Sequence, residues 1–578
     1  MGKILRVNMS ELKVHVEEPP KEYQRLGGRC LTSTMIYKEV PATCDPLGRQ
    51  NKLVIAPGVL SGTNSPNSGR LSIGFKSPLT GGIKESNVGG NSAFRIGRLG
   101  INAIVVEGLE DAGKLHVLHV SKEGGKLIPA EEYRGLKNYE LVKKLQSRFG
   151  KKVAILSIGP VGEMGLSAAS VASTDVDGVP CRHAGRGGAG AVMGSKGLKA
   201  IVVDETDGPG VPIADPEKFK GGARKFTKGI LDHPSAPGLK TFGTNFLVGV
   251  IQAAGAYPTR NFREGTFEGA EQVSGEYMYE VITKRGGKPT HEGCTTCVIH
   301  CSNVYVDEKG DYVTASFEYE TIWAHGANLG ISDLDSIAKA DRLCDDYGMD
   351  TMEVGQAIGV AMEAGIKAFG DAKGALELIE EVGKGTPLGR ILGNGAWITG
   401  KVLGVKRVPV VKKQAMAAYE PRSLHGMGVT FATATMGADH TAGFIGDRNL
   451  AAIGGDLHPH KAEGQVDASR EAQVIATALD GTGLCHMVFF AIKDVAIVPD
   501  ARAGFLEMMS GLYGSPVTYD DIKALGERIL KMERDFNLKA GFTTADDRLP
   551  DFMREEKIPP HHVSFTVPDE ELDRLFEF

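Results

Sequence analysis

No stretch of about 18 uncharged apolar residues occurs in this 578-residue chain, so no membrane-spanning helix is expected. Nor is there an excess of one charge. Lys and Arg total 66 against 72 Asp and Glu, a formal net charge of -6, which leaves no electrostatic footprint for nucleic acid. Cysteine is scarce, at eight residues, which excludes a disulfide scaffold. The opening MGKILRVNMSELKV has neither the apolar core of a signal peptide nor transit-peptide character, so a reducing, cytoplasmic setting is expected. A well-placed GxGxxG after a strand is also missing, and with it a dinucleotide fold. No repeat of fixed period is visible.

Glycine, by contrast, is abundant, at 76 residues. It gathers in SGTNSPNSGR, TGGIKESNVGG and RHAGRGGAGAVMGSKG, where backbone must pass close to another segment or to a bulky ligand. The length implies about three or four domains. KILRVNM, KLVIAPG, RLSIGFK, AIVVEG, KLHVLHV, KVAILSIGP and LKAIVVDE read as short strands, which makes residues 1–210 sheet-rich. Pro-rich GPGVPIADPEKF (208–219) marks a boundary. Helical spacing follows at 214–231, 243–257, 333–348 and 356–370, then at 468–481 and 521–537. The expected class is α+β: a sheet-rich domain (1–210) followed by two mainly helical ones (211–410 and 411–578).

Residues 292–301, EGCTTCVIHC, place Cys294, Cys297 and Cys301 within eight positions. Thiolates so spaced bind an iron–sulfur cluster or zinc. For zinc, His291 or His300 could complete the set. For a cubane, a distant cysteine must arrive, and Cys485 in LDGTGLCHM is a candidate. The turn DGTGLC (480–485) has a counterpart in DDYGMD (345–350). Both read Asp-x-x-Gly-apolar after a helical pattern, so each glycine can cap a helix while the aspartate accepts hydrogen bonds from a ligand's amines.

With these turns, the chain resembles the tungsten-containing aldehyde:ferredoxin oxidoreductase family over essentially its whole length. NKLVIAPGVLSGT, GRLSIGFKSPLTG, RHAGRGGAGAVMGSK, FEYETIWAHGANLG and YEPR carry the resemblance further. It implies oxidation of aldehydes with water to carboxylic acids, at tungsten or molybdenum held between two pterin dithiolenes. It also implies one [4Fe–4S] cluster, magnesium between the pterin phosphates, and a sheet-rich first domain as the base beneath the cofactor. Ferredoxin or an iron–sulfur electron-transfer subunit, with or without a flavin subunit, would take the electrons. The alternative within the family is a reductase subunit acting on aromatic coenzyme A thioesters. The resemblance assigns Cys294, Cys297, Cys301 and Cys485 to the cluster and Asp345 and Asp480 to the pterin rings. Arg70, Asn87, Gly90 and Arg182 become cofactor contacts, because guanidinium forks and free amides suit phosphate.

Glu318, in SFEYETIW, is the expected proton acceptor, with Glu320 as its rival. His425, in RSLHGMG, is the expected histidine partner, with His440 in MGADHTAG as the second candidate. In some family members a Glu-x-x-His pair ahead of the first turn holds iron between subunits. Here Lys339 and Arg342 stand in those places, and two cations do not bind iron. His325 and the FATATMG stretch (431–437) are expected to alter the substrate pocket.

Overall fold

The computed structural model describes residues 2–110, 112–450 and 455–578. The seven strands expected up to residue 210 form, and five more join them. The first sheet holds β1 (Lys3–Asn8), β2 (Lys13–Glu17), β3 (Leu53–Pro57), β4 (Leu71–Lys76), β5 (Ile83–Val88) and β6 (Ile101–Glu107). The second holds β7 (His116–Ser121), β8 (Gly124–Pro129), β9 (Ala154–Ser157), β10 (Val171–Ser173), β11 (Arg182–Ala184) and β12 (Leu198–Val203).

The two sheets repeat one topology. Their orders are β2-β1-β6-β3-β4-β5 and β8-β7-β12-β9-β10-β11. Every pairing keeps its sense: β1 runs parallel to β6 as β7 does to β12, and the other neighbours are antiparallel in both. Helices occupy matching places too, Gly28–Glu39 and Ser92–Arg98 in one half, Asn138–Phe149 and Ala189–Ser195 in the other. No fixed period betrays this duplication in the sequence. A sheet needs only alternating apolar positions, which many sequences supply.

Val7, Ile55, Ile73 and Phe75 from the first sheet meet Leu118, Leu156, Ile201 and Val203 from the second in one core. The opposite faces are covered separately. Leu31, Met35 and Ile36 of Gly28–Glu39 pack on Ile4, Val54 and Val105, where helix Tyr519–Lys539 adds Ile529 and Phe536. Leu141, Val142 and Leu145 of Asn138–Phe149 pack on Val117, Ile155 and Val202.

Beyond residue 210 the chain is mainly helical, with a three-stranded sheet of β13 (Lys288–His291), β14 (Ser302–Val306) and β15 (Tyr312–Ala315) around the cysteine segment. The helix expected over 356–370 spans Thr351–Glu363 instead. Asp350 caps its start, accepting from Met352 N at 3.0 Å, and Gly365 at φ +79° stands just past its end. Helix Pro216–Asp232 lies against Pro499–Tyr513, and Phe226, Phe505 and Met508 share one core. The segments 211–410 and 411–578 therefore pack around a common interior.

Candidate active site

The two Asp-x-x-Gly turns end the helices Leu334–Tyr347 and Gln465–Asp480. Each turn is pressed against its own half of the duplicated domain. A Cβ on Gly58 would stand 2.0 Å from Gly483 N, and one on Gly159 would stand 2.1 Å from Tyr347 O. Only glycine allows these approaches. Backbone bonds close them, Arg70 N to Gly483 O at 3.0 Å and Ser170 N to Gly348 O at 3.0 Å. The aspartates then meet the matching helix N-termini. Arg29 Nη1 is 3.4 Å from Asp480 Oδ2, while Tyr139 OH donates to Asp345 Oδ2 at 3.4 Å. His183 Nε2 stands 3.0 Å from Asp345 Oδ1. Burial, then the neighbouring Glu85, pushes the Asp480 carboxyl well above its usual range.

Both turns open on one cavity of about 370 Å³. Arg70, Asn87, Arg182, Glu318, Asp345, Asp480, Cys294, Cys297, Cys301 and Cys485 line it. Gly90 is just outside that lining, and its N–H points at Cys294 Sγ at 3.4 Å. The structure thus brings together every expected site residue except His425.

Asn67, which the sequence did not single out, ties the cysteines in place. Its carbonyl accepts from Cys485 N at 2.9 Å, and its backbone N–H donates to Thr296 O at 2.8 Å. Its side chain accepts from Val298 N at 3.1 Å and donates to Cys297 Sγ at 3.5 Å. Arg70 Nη2 donates to Cys485 Sγ at 3.5 Å. Burial, with Cys294 next, pushes the Cys297 thiol up to about 12. A metal must therefore displace that proton to bind. Among the described residues no three His, Cys, Asp or Glu side chains converge to hold a single ion. The four cysteines are among the residues that line the cavity, and His291 turns to Asp177, with Nε2 2.9 Å from Oδ2.

The remaining donors fit a phosphorylated, amine-bearing cofactor. Among the described residues Arg70 Nε and Arg182 Nε are buried without a partner, donors that an anion would satisfy. The Asp345 and Asp480 carboxylates offer acceptors to ring amines.

Glu318 and Glu320 differ sharply. Glu318 is committed: Oε2 accepts from Thr244 Oγ1 at 2.6 Å, and Oε1 from Ser316 Oγ at 3.1 Å and Arg182 Nη1 at 3.3 Å. Glu320 keeps one oxygen free. Its Oε2 accepts from Ala418 N at 3.0 Å, while among the described residues Oε1 has no hydrogen-bond partner, and it lies 3.4 Å from His440 Nε2. Burial pushes the Glu320 carboxyl up, and His440 opposes that shift. Tyr419 stands beside the pair, its ring 5.7 Å from that of His440.

His425 is elsewhere. It is fully buried, and its Nε2 accepts from Thr566 N at 3.2 Å, against Phe565. Its residue number is close to that of His440, but helix His425–Thr433 carries it away from the cavity. His325 is buried against Cys344, with Nε2 3.8 Å from Sγ, and no residue of 431–437 lines the cavity. Neither shapes the pocket as expected. Arg342 lies 3.5 Å over the Tyr139 ring.

Comparison with known proteins places the chain in one family. The family profile "Aldehyde ferredoxin oxidoreductase, N-terminal domain" matches residues 4–205, and "Aldehyde ferredoxin oxidoreductase, domains 2 & 3" matches 222–577. The tungsten-containing aldehyde ferredoxin oxidoreductases of Pyrococcus furiosus and Thermococcus kodakarensis are each 36% identical over 580 residues, covering 96% of this chain and 92% of theirs. Among solved structures, the active-site complex BamBC of benzoyl coenzyme A reductase with 1,5-dienoyl-CoA superposes with a TM-score of 0.80. That match covers 99% of this chain and 93% of the other at 17% identity, so it speaks to the fold alone.

Proposed function

Since the chain belongs to the aldehyde ferredoxin oxidoreductase family, we propose that it oxidises aldehydes with water to carboxylic acids and passes the electrons to ferredoxin or an iron–sulfur electron-transfer subunit. The observation that carries this reading is the convergence, in one cavity, of four cysteines, two Asp-x-x-Gly turns and the Glu320–His440 pair.

Cys294, Cys297, Cys301 and Cys485 would hold a [4Fe–4S] cluster. Asp345 and Asp480 would bind two pterins, with Arg70, Asn87, Gly90 and Arg182 toward their phosphates and magnesium. When bound, the tungsten or molybdenum dithiolene centre supplies a two-electron acceptor, and the cluster a one-electron exit.

The chain's own residues handle the protons. In the overall change, water supplies an oxygen to the aldehyde carbon and two protons and two electrons leave. Glu320 takes a proton at Oε1, the oxygen that Ala418 does not hold. His440 Nε2, 3.4 Å away, stabilises the carboxylate when charged and receives the proton for release. Glu318 is a positioning residue. Held by Thr244, Ser316 and Arg182, it orients Arg182 beside the cysteines.

The test is metal analysis with viologen-linked turnover on aliphatic and aromatic aldehydes. Tungsten or molybdenum near one per chain, about four irons and aldehyde-dependent dye reduction are expected. Turnover confined to an aromatic coenzyme A thioester would replace this reading with the reductase alternative.

A further inference from the structure

Lys84, on β5, is a buried cation that the proton route above does not use. Its side chain is 1% exposed, and Nζ donates to Asp439 Oδ2 at 3.1 Å and to Met436 O at 3.4 Å. Gly187, at φ +81°, makes room for it, since a Cβ there would stand 2.6 Å from Lys84 Cγ. Arg186 fixes the backbone just before Asp439, with Nη1 donating to Ala438 O at 2.7 Å. The other Asp439 oxygen, Oδ1, accepts from Thr441 N at 3.2 Å and from Thr441 Oγ1 at 2.9 Å. Burial works against a charge here, but Lys84, Arg186 and His440 hold the Asp439 carboxyl far below its usual range. Burial also pulls the Lys84 ammonium below its usual value, and Asp439 opposes that.

His440 therefore has a carboxylate near each ring nitrogen. Asp439 Oδ1 is 3.9 Å from Nδ1, and Glu320 Oε1 is 3.4 Å from Nε2. Among the described residues Nδ1 is buried without a hydrogen-bond partner, and 3.9 Å is too long for one. Asp439 thus acts on the ring through its charge. The other groups around the ring are Tyr419 and His486, which burial favours in their neutral forms, and Arg186. Arg186 is itself 3.5 Å from Asp350.

We propose that Asp439, locked by Lys84, is a positioning residue for proton release through His440. This rests on the aldehyde-oxidising reading above. Its carboxylate favours the neutral tautomer with hydrogen on Nδ1, which leaves the Nε2 lone pair toward Glu320. When the proton passes, the O–H bond of Glu320 breaks and an N–H bond forms at Nε2, with no change of oxidation state. A neutral acid and a neutral imidazole become a carboxylate and an imidazolium. That imidazolium then lies between two carboxylates, which offsets the cost of charging a ring in the cavity wall.

The experiment uses Asp439→Asn in the purified holoenzyme. Asparagine keeps the shape and the acceptor for Thr441 but removes the charge. Carbethoxylation of His440 by diethyl pyrocarbonate, followed against pH by peptide mass spectrometry, reads the neutral imidazole without turnover. Losing a nearby anion disfavours the imidazolium, so the midpoint should move down by about one pH unit. The acid limb of kcat should move down with it, because His440 must be neutral to receive the proton. At the plateau kcat should fall about ten- to a hundred-fold, with KM little changed. Asp439→Glu, which restores the charge, should return the midpoint toward that of the parent. A midpoint and kcat profile unchanged in Asp439→Asn overturn the inference while leaving aldehyde oxidation standing. A lower kcat with an unmoved midpoint also overturns it, since that is the mark of a merely structural role. No turnover of any aldehyde by the parent enzyme removes the reading on which it rests.

Discussion

Glu533 is buried on helix Tyr519–Lys539, far in sequence from every residue it holds. Its Oε1 accepts from Arg29 Nε at 3.0 Å and Ser33 Oγ at 2.7 Å. Its Oε2 accepts from Arg29 Nη2 at 2.8 Å and Thr435 Oγ1 at 2.6 Å. Burial works against the charge, but Arg29 and the hydroxyls hold the carboxyl below its usual range. Glu533→Ala strips all four bonds and leaves the Arg29 charge buried, 3.4 Å from Asp480. Removing one partner of a buried pair costs about 3–5 kcal/mol. Glu533→Gln keeps the shape but loses the charge, and about 1–3 kcal/mol is expected. Replacing both partners, Arg29→Met with Glu533→Leu, should recover much of the Glu533→Ala loss, because neither charge of the pair then remains buried without the other. Hydrogen exchange over Gly28–Glu39 and Tyr519–Lys539 is the assay, since it reports local opening. Tryptophan emission would miss the event, because Trp323 and Trp397 lie in other helices. The pH dependence has a definite sign. A depressed carboxyl stabilises above its unfolded pKa and loses that contribution as pH falls through its folded one. Unchanged protection in Glu533→Ala, or a double variant no better than the single, would refute this account.

Cys485→Ala should lower iron content and stop electron exit, whereas His291→Ala and His300→Ala keep a full complement; a four-iron Cys485→Ala protein would sink the ligand assignment. Glu320→Gln and His440→Asn should each lower kcat about 10²–10⁴-fold with iron content unchanged, while His425→Ala leaves kcat near that of the parent; the reverse pattern in steady-state kinetics would restore the first expectation. Gly58→Ala and Gly159→Ala should each be destabilising, since a Cβ meets backbone at 2.0 and 2.1 Å, and a melting curve identical to the parent would show that the turns relax freely. Burial lowers the His325 pKa to about 4, so the unfolded chain takes up a proton first as pH falls from about 6.5. Stability should therefore decline by roughly 3 kcal/mol from this group between those values, and His325→Leu should flatten that slope in denaturant titrations.

Much of the fold was legible because strands and helices are written locally. The run LVIAP is apolar throughout and LSIGFK is apolar at alternate positions (Leu71, Ile73, Phe75), and both became strands buried along their whole length. The shifted helix at Thr351–Glu363 shows the limit, since Asp350 closes one turn and also caps the helix that starts at Thr351. β2 and β8 escaped notice because their faces are largely open to solvent or only half-covered, and so carry little apolar pattern.

The sequence by itself determined the chemistry available: eight cysteines with three closely spaced, two Asp-x-x-Gly turns, and no dinucleotide motif. Those are covalent facts of residue type and spacing. Only the tertiary structure decided which groups meet. It set Cys485 beside Arg70 and gave Asn67 its four bonds to the cysteine-bearing segments. It also separated Glu320 from Glu318, two residues away. Glu318 precedes the helix as its cap while Glu320 lies in the first turn, so their carboxylates point to different partners. The same geometry brought His440 to the cavity and carried His425 off on a helix. Proximity of distant side chains depends on the path of the whole backbone, and the matching halves of the first domain fixed that path without leaving a repeat in the letters.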